Sequence, residues 1–153
     1  MIESPLQHGA WLAICDGAKA LLVENTGDHT YPKLETRAQY SQVNPATHEQ
    51  GSSPPGRVFS SIGGRRGAVE ETDYHRQAEH DFLNSFADHV AHAVEQHRIR
   101  KLFLVAPARA LGIMRAALSP RVRHVLAGEI ERDYGKMPLH EIEQHLAALE
   151  QKK

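Results

Sequence analysis

Two arginines beside a pair of glycines form the most chemically pointed stretch of this chain, Gly63-Gly64-Arg65-Arg66-Gly67, with Arg57 shortly before it. Glycine lets a backbone approach a partner closely, and guanidinium groups pair bidentately with phosphate. The stretch is not a Walker A loop, since no Gly-Lys-Ser/Thr follows, and it lacks the strand–turn–helix setting of a dinucleotide fingerprint. Its chemistry is contact with RNA or another anion through Arg57, Gly63, Gly64, Arg65 and Arg66. The competing reading is a solvated surface loop whose arginines are neutralised by Glu70, Glu71 and Asp73.

Other reactive residue types are less well placed. Metal-dependent nuclease chemistry needs several carboxylates converging on two ions. Asp16 ends the first apolar run, but Asp16-Gly17 reads as a hairpin turn. Glu24, Glu129, Glu131 and Asp133 read as solvated edge positions. His89 and His92 are three apart on a helix and could share an ion. No Asp, Glu or Cys clearly completes that set, although Asp88 and Glu95 are near, so no metal and no cofactor is expected. Ser60 and Ser61 have no local base and no nucleophile elbow around them. The single cysteine, Cys15, excludes an internal disulfide and sits within Trp11-Leu12-Ala13-Ile14-Cys15, where a thiol behaves as a small hydrophobe.

Hydrophobic patterning supplies the elements that would position these groups. Ala10–Cys15 is a strand buried on both faces, and Lys19–Glu24 is its hairpin partner. After a turn-rich stretch, Leu34, Thr36, Ala38 and Tyr40 alternate with Glu35, Arg37 and Gln39 as a half-exposed third strand. A long Gly/Pro/Ser/Arg loop is expected over about 41–72. Asp73 then caps a helix whose stripe is Tyr74, Ala78, Phe82, Phe86, Val90 and Val94, with His97 and Arg98 in its last turn. Lys101–Ala106 is a second nearly all-apolar strand. A helix follows from Pro107 to Leu118 and is ended by Ser119-Pro120. Val122–Ile130 reads as a fifth strand, and Pro138 opens a terminal helix carrying Leu139, Ile142, Leu146 and Leu149.

The order β-β-β-α-β-α-β-α, with the first and fourth strands the most apolar, predicts an α/β fold. Its mixed five-stranded sheet is ordered 3-2-1-4-5 and has helices packed on it, the ribonuclease-H-like architecture. The 153 residues suit one domain spanning 1–153. The formal net charge of −1 argues against a generally basic nucleic-acid binder and leaves room for a local patch. Met1–Gly9 lacks the n- and h-regions of a signal peptide, and no apolar run reaches the roughly 18 residues of a membrane span. A cytoplasmic protein without membrane insertion is expected, and no DNA partner.

The chain resembles the bacterial host attachment proteins, named for a requirement in attachment to host cells. The likeness rests on Trp11–Val23 around Asp16-Gly17-Ala18-Lys19-Ala20, on Pro55-Gly56-Arg57 with Ser60, and on Gly63-Gly64-Arg65. It continues through Asp73–Phe82, the run Leu104-Val105-Ala106-Pro107-Ala108-Arg109-Ala110-Leu111-Gly112-Ile113-Met114-Arg115-Ala116-Ala117-Leu118-Ser119-Pro120, and Glu129–Pro138. That family is similar in turn to the middle domain of archaeal and eukaryotic peptide-chain release factors, which share the ribonuclease-H-like fold. There, a loop between the third strand and the first helix carries Gly-Gly-Gln into the ribosome. The resemblance places Gly63-Gly64-Arg65 in that loop. Arginine cannot reproduce the neutral amide, which both donates and accepts hydrogen bonds. The resemblance therefore implies a non-enzymatic domain that contacts the ribosome or tRNA through a basic loop. The alternatives are a peptidyl-tRNA hydrolase-like rescue factor and an adaptor affecting cell-surface attachment.

Overall fold

Every residue of Trp11–Cys15 (β1) and of Leu102–Ala106 (β4) is buried, as strands covered on both faces must be. In the computed structural model, which describes residues 6–42 and 64–151, these two strands lie side by side and parallel at the centre of the sheet. Lys19–Asn25 (β2) pairs antiparallel with β1, and Leu34–Ser41 (β3) pairs antiparallel with β2. Leu126–Glu131 (β5) pairs parallel with β4, which completes the expected order β3-β2-β1-β4-β5. Among the described residues four helices cover this sheet: Gly64–Gln96 (α1), Ala108–Ala117 (α2), Pro120–Val125 (α3) and Leu139–Gln151 (α4).

The period of two along a strand divides the core into two layers. Trp11, Ala13, Cys15, Leu102, Leu104 and Ala106 face Leu83, Phe86, Val90 and Val94 of α1, Leu111 and Met114 of α2, and Val122 of α3. Leu12, Ile14, Phe103 and Val105 point the other way, to Tyr134 and to Ile142 and Leu146 of α4. Each fully buried side chain of this size contributes about 1.5–3 kcal/mol, so both faces are needed to hold β1 and β4. The terminal-helix stripe packs on the sheet, as expected.

Four local expectations are corrected. First, α1 begins at Gly64, nine residues before Asp73, and Ser41 still belongs to β3. The segment 64–72 contains arginine, alanine and glutamate, all good helix formers, and Gly67 costs only about 1 kcal/mol there. Tyr74 is accordingly 48% exposed on a helix turn that has not yet met the sheet.

Second, the alternation of β3 does not run through. A register shift leaves Arg37 without a partner opposite it, because Leu22 pairs with Ala38 and Val23 with Thr36. Such a bulge inverts the faces. Leu34 therefore joins the α4-side core, while Ala38 and Tyr40 pack on the α1 side.

Third, Ser119-Pro120 starts a helix as well as following one. Ser119 Oγ accepts from the Val122 N–H (3.3 Å) and Pro120 occupies the first position, so Val122–Val125 are helical and β5 starts at Leu126. Fourth, His97 and Arg98 lie past the end of α1. The Ile99 N–H donates to the Val94 carbonyl (3.1 Å) across Arg98, whose φ is 51°. That six-to-one bond closes a Schellman-type end, which ordinarily takes glycine at the left-handed residue.

Candidate functional site

In open α/β sheets the carboxyl ends of the parallel strands form the usual ligand edge. Here that edge is built around the hairpin after β1. Asp16 Oδ1 accepts from the backbone N–H groups of Ala18 and Lys19, both at 2.7 Å. The other oxygen faces Gly135 so closely that a Cβ there would lie 2.1 Å from it. Asp16 is thus a turn residue, held on both sides. Gly17 lies against Glu79 of α1, and a Cβ on it would come within 2.5 Å of the Glu79 side chain. Glu79 in turn pairs with Arg109 (3.2 Å), in the first turn of α2. A cation so near a helix N-terminus is disfavoured by the dipole, and Glu79 offsets it.

The chain leaves β3 at the same edge. The Gln42 N–H donates to Ala18 O (2.7 Å), and its side-chain amide donates to Gly17 O (3.1 Å). Between the end of β3 and α1 runs a groove of about 400 Å³. Tyr40, Phe82 and Phe86 supply its apolar wall, and Asp81, Ser85 and His89 form a polar row along one stripe of α1. Tyr40 stacks flat on His89, with ring centroids 4.2 Å apart and planes 10° apart. Asp81 accepts a hydrogen bond from Gln77 (2.9 Å). This groove is not among the sequence expectations. Its signal was present in the four-residue spacing of those polar residues beside the apolar stripe, but Tyr40 joins it only because of the β3 bulge.

The sequence-predicted site residues are distributed as follows. Arg57 and Gly63 lie outside the described residues. Gly64, Arg65 and Arg66 form the opening turn of α1, whose first turn contains no acid. The backbone there is helical. The fifteen positions from Gly64 to Glu79 correspond to about 22 Å of helix at 1.5 Å per residue.

Glu24, Glu129 and Cys15 have structural engagements. Glu24 binds Arg37 (3.0 Å), and Glu129 binds Arg115 through two nitrogens, which raises the Arg115 pKa above its usual value. Cys15 is 1% exposed, and burial, with Asp16 adding a smaller effect, pushes its thiol up to about 12. It is a neutral core group at physiological pH, as expected. Among the described residues no three His, Cys, Asp or Glu side chains are grouped closely enough to hold a metal ion, and no helix is long and apolar enough to cross a membrane.

Sequence comparison places the whole sheet and all but the end of α4 within one family model, described as protein required for attachment to host cells, which matches residues 11–146. The chain belongs to that family. No curated protein matches it.

Proposed function

We propose that this member of the host-attachment family acts as a non-enzymatic RNA-contacting domain, with the Gly63–Arg66 stretch and Arg57 engaging ribosomal RNA or tRNA in the cytoplasm. The observation that carries the reading is the start of α1 at Gly64, with Arg65 and Arg66 in a first turn that holds no acid. The first N–H groups of a helix lack intrahelical acceptors, and the dipole makes that end positive. Two further cations at that end are unfavourable within the protein alone. Phosphate oxygens would satisfy the N–H groups and offset the charge together. Arginine in the third position of Gly63-Gly64-Arg65 suits binding and not the hydrogen-bonding role of a glutamine amide.

Ribosome co-sedimentation at two salt concentrations tests this. The parent protein should pellet with ribosomes at low salt and less at high salt. Replacement of both Arg65 and Arg66 by alanine should abolish the low-salt pelleting. Absence of parental binding, or full binding by the double variant, would sink the proposal.

The family description favours a second reading, an adaptor in which the same stretch docks a protein partner that affects attachment. Affinity capture returning a surface or export component in place of ribosomes would support it.

A further inference from the structure

The opposite, amino end of β1 and β4 carries a pocket of about 310 Å³ that neither reading above uses. The residues that give it character are Trp11, Glu24, His97, Arg98, Arg100 and Lys101. Three observations converge there.

The first is charge. Arg98 and Arg100 face the pocket beside Lys101, which donates to Gln7 Oε1 (3.1 Å), and Glu24, the one acid of the lining among the described residues, is engaged by Arg37. Arg98 and Arg100 have no ion-pair partner among the described residues, and both are exposed. The second is backbone geometry. Arg98 holds φ at 51° at the end of α1, where glycine would sit without steric cost. An arginine kept in a conformation that disfavours it points to a use for its side chain. The third is an aromatic wall. The exposed His97 ring lies over Trp11, with centroids 5.0 Å apart and planes 33° apart. Trp11 is itself buried, so the indole backs the exposed imidazole, and both residues line the pocket.

We infer that this pocket binds a nucleotide, free or at an exposed position of an RNA strand. Its phosphate would lie between the Arg98 and Arg100 guanidinium groups, and its base would lie against His97. Guanidinium forks match phosphate geometry, and a ring face accepts any base by stacking. The volume sits at the lower end of the range for small-molecule sites, which fits a single nucleotide. This inference does not depend on the Arg65–Arg66 reading, because the two involve different residues at different places in the chain.

The test is isothermal titration calorimetry at low salt with AMP, a short oligouridylate and inorganic phosphate as separate probes. Trp11, the only tryptophan, gives a parallel fluorescence readout at the site wall. Saturable binding of AMP, the oligouridylate or both is expected, and which probe binds distinguishes a free nucleotide from one in a strand. Arg98→Gly should weaken it roughly tenfold, the factor typical of a lost charge-assisted hydrogen bond, while raising the melting temperature. Arg100→Ala should weaken it similarly, and Arg65→Ala with Arg66→Ala should leave AMP binding unchanged. Failure of both nucleotide probes to bind, undiminished binding by the Arg98→Gly/Arg100→Ala variant, or inorganic phosphate binding as tightly as AMP would each overturn the assignment.

Discussion

The two ends of the sheet use charge in opposite ways. At the carboxyl end of β1, Asp16 is tied into its own hairpin and Glu79 is bound to Arg109. At the amino end, Arg98 and Arg100 project into a pocket with no acid bound to them among the described residues. The architecture beneath also differs. The carboxyl end is held by close backbone approach at Gly17 and Gly135, whereas the amino end is held by one buried polar side chain, Asn25. Its side-chain N–H groups donate to Leu6 O and Gln7 O, and its Oδ1 accepts from the N–H groups of Gly27 and Lys33. Charges consumed by internal pairing fix structure. Charges left without a bound acid among the described residues, such as Arg98 and Arg100, are the ones proposed to hold a ligand.

Breaking the Asn25 network should have the largest effect. Asn25→Ala orphans buried donors and acceptors on two loops and should cost about 3 kcal/mol, at 1–3 kcal/mol per unsatisfied group with partial relaxation, read as a lower urea midpoint. At the other end, Gly135→Ala drives a methyl group into Asp16 Oδ2, which the hairpin holds in place. A loss of about 2 kcal/mol is expected, in the range for overpacking. Gly17→Ala should cost less in the same denaturation experiment, because its obstacle is the Glu79 side chain, which can swing away from Arg109.

Alkaline pH should weaken the carboxyl end through Cys15. Its folded pKa, about 12, lies above the value near 8.5 of an unfolded cysteine. Below that unfolded value both states are protonated and nothing is lost. As pH rises from about 9 toward 12 the unfolded thiol ionises first, so the unfolded state gains and stability falls. Urea midpoints at pH 7 and pH 10.5 should show this decline, and Cys15→Ala should reduce it.

At Arg98 a substitution should act with the opposite sign. Arg98→Gly relieves a left-handed residue and should stabilise by roughly 0.5–1 kcal/mol, after the greater freedom of unfolded glycine is deducted. The smallest effect is at the partly exposed Glu79–Arg109 pair. Arg109→Ala should change stability by less than about 1 kcal/mol, as surface ion pairs do. A larger loss there would undo the contrast between the two ends.

Much of this fold was legible because β1 and β4 are so uniformly apolar that only a central position suits them. The stripe Phe82, Phe86, Val90 and Val94 likewise fixed the face of α1. Boundaries were harder to read where one residue type serves two local structures. Gly64 and Gly67 suggested a loop, yet the residues between and after them propagate a helix. Ser119-Pro120 was read only as a stop, although the same pair caps the following helix. The β3 bulge at Arg37 left no mark in an alternation that looked unbroken. Asn25 sat in a turn-like context that hid its burial, and Arg98 gave no sign that its backbone would be left-handed. Those features depend on contacts between separate stretches of the chain, or on how a helix end meets the next strand. The Gly-Gly-Arg stretch was conspicuous in sequence, but the placement of Gly64 and Arg65 at a helix start came from the structure.

The proposed RNA contact is tested most directly by the salt dependence of RNA affinity in the parent and in the Arg65→Ala/Arg66→Ala variant. Each phosphate neutralised on a single strand contributes about −0.7 to the slope of log affinity against log salt. Loss of two such contacts should therefore make the slope shallower by about 1.4 and weaken binding at low salt. An identical slope and affinity in the two proteins would contradict the assignment of RNA contact to the start of α1.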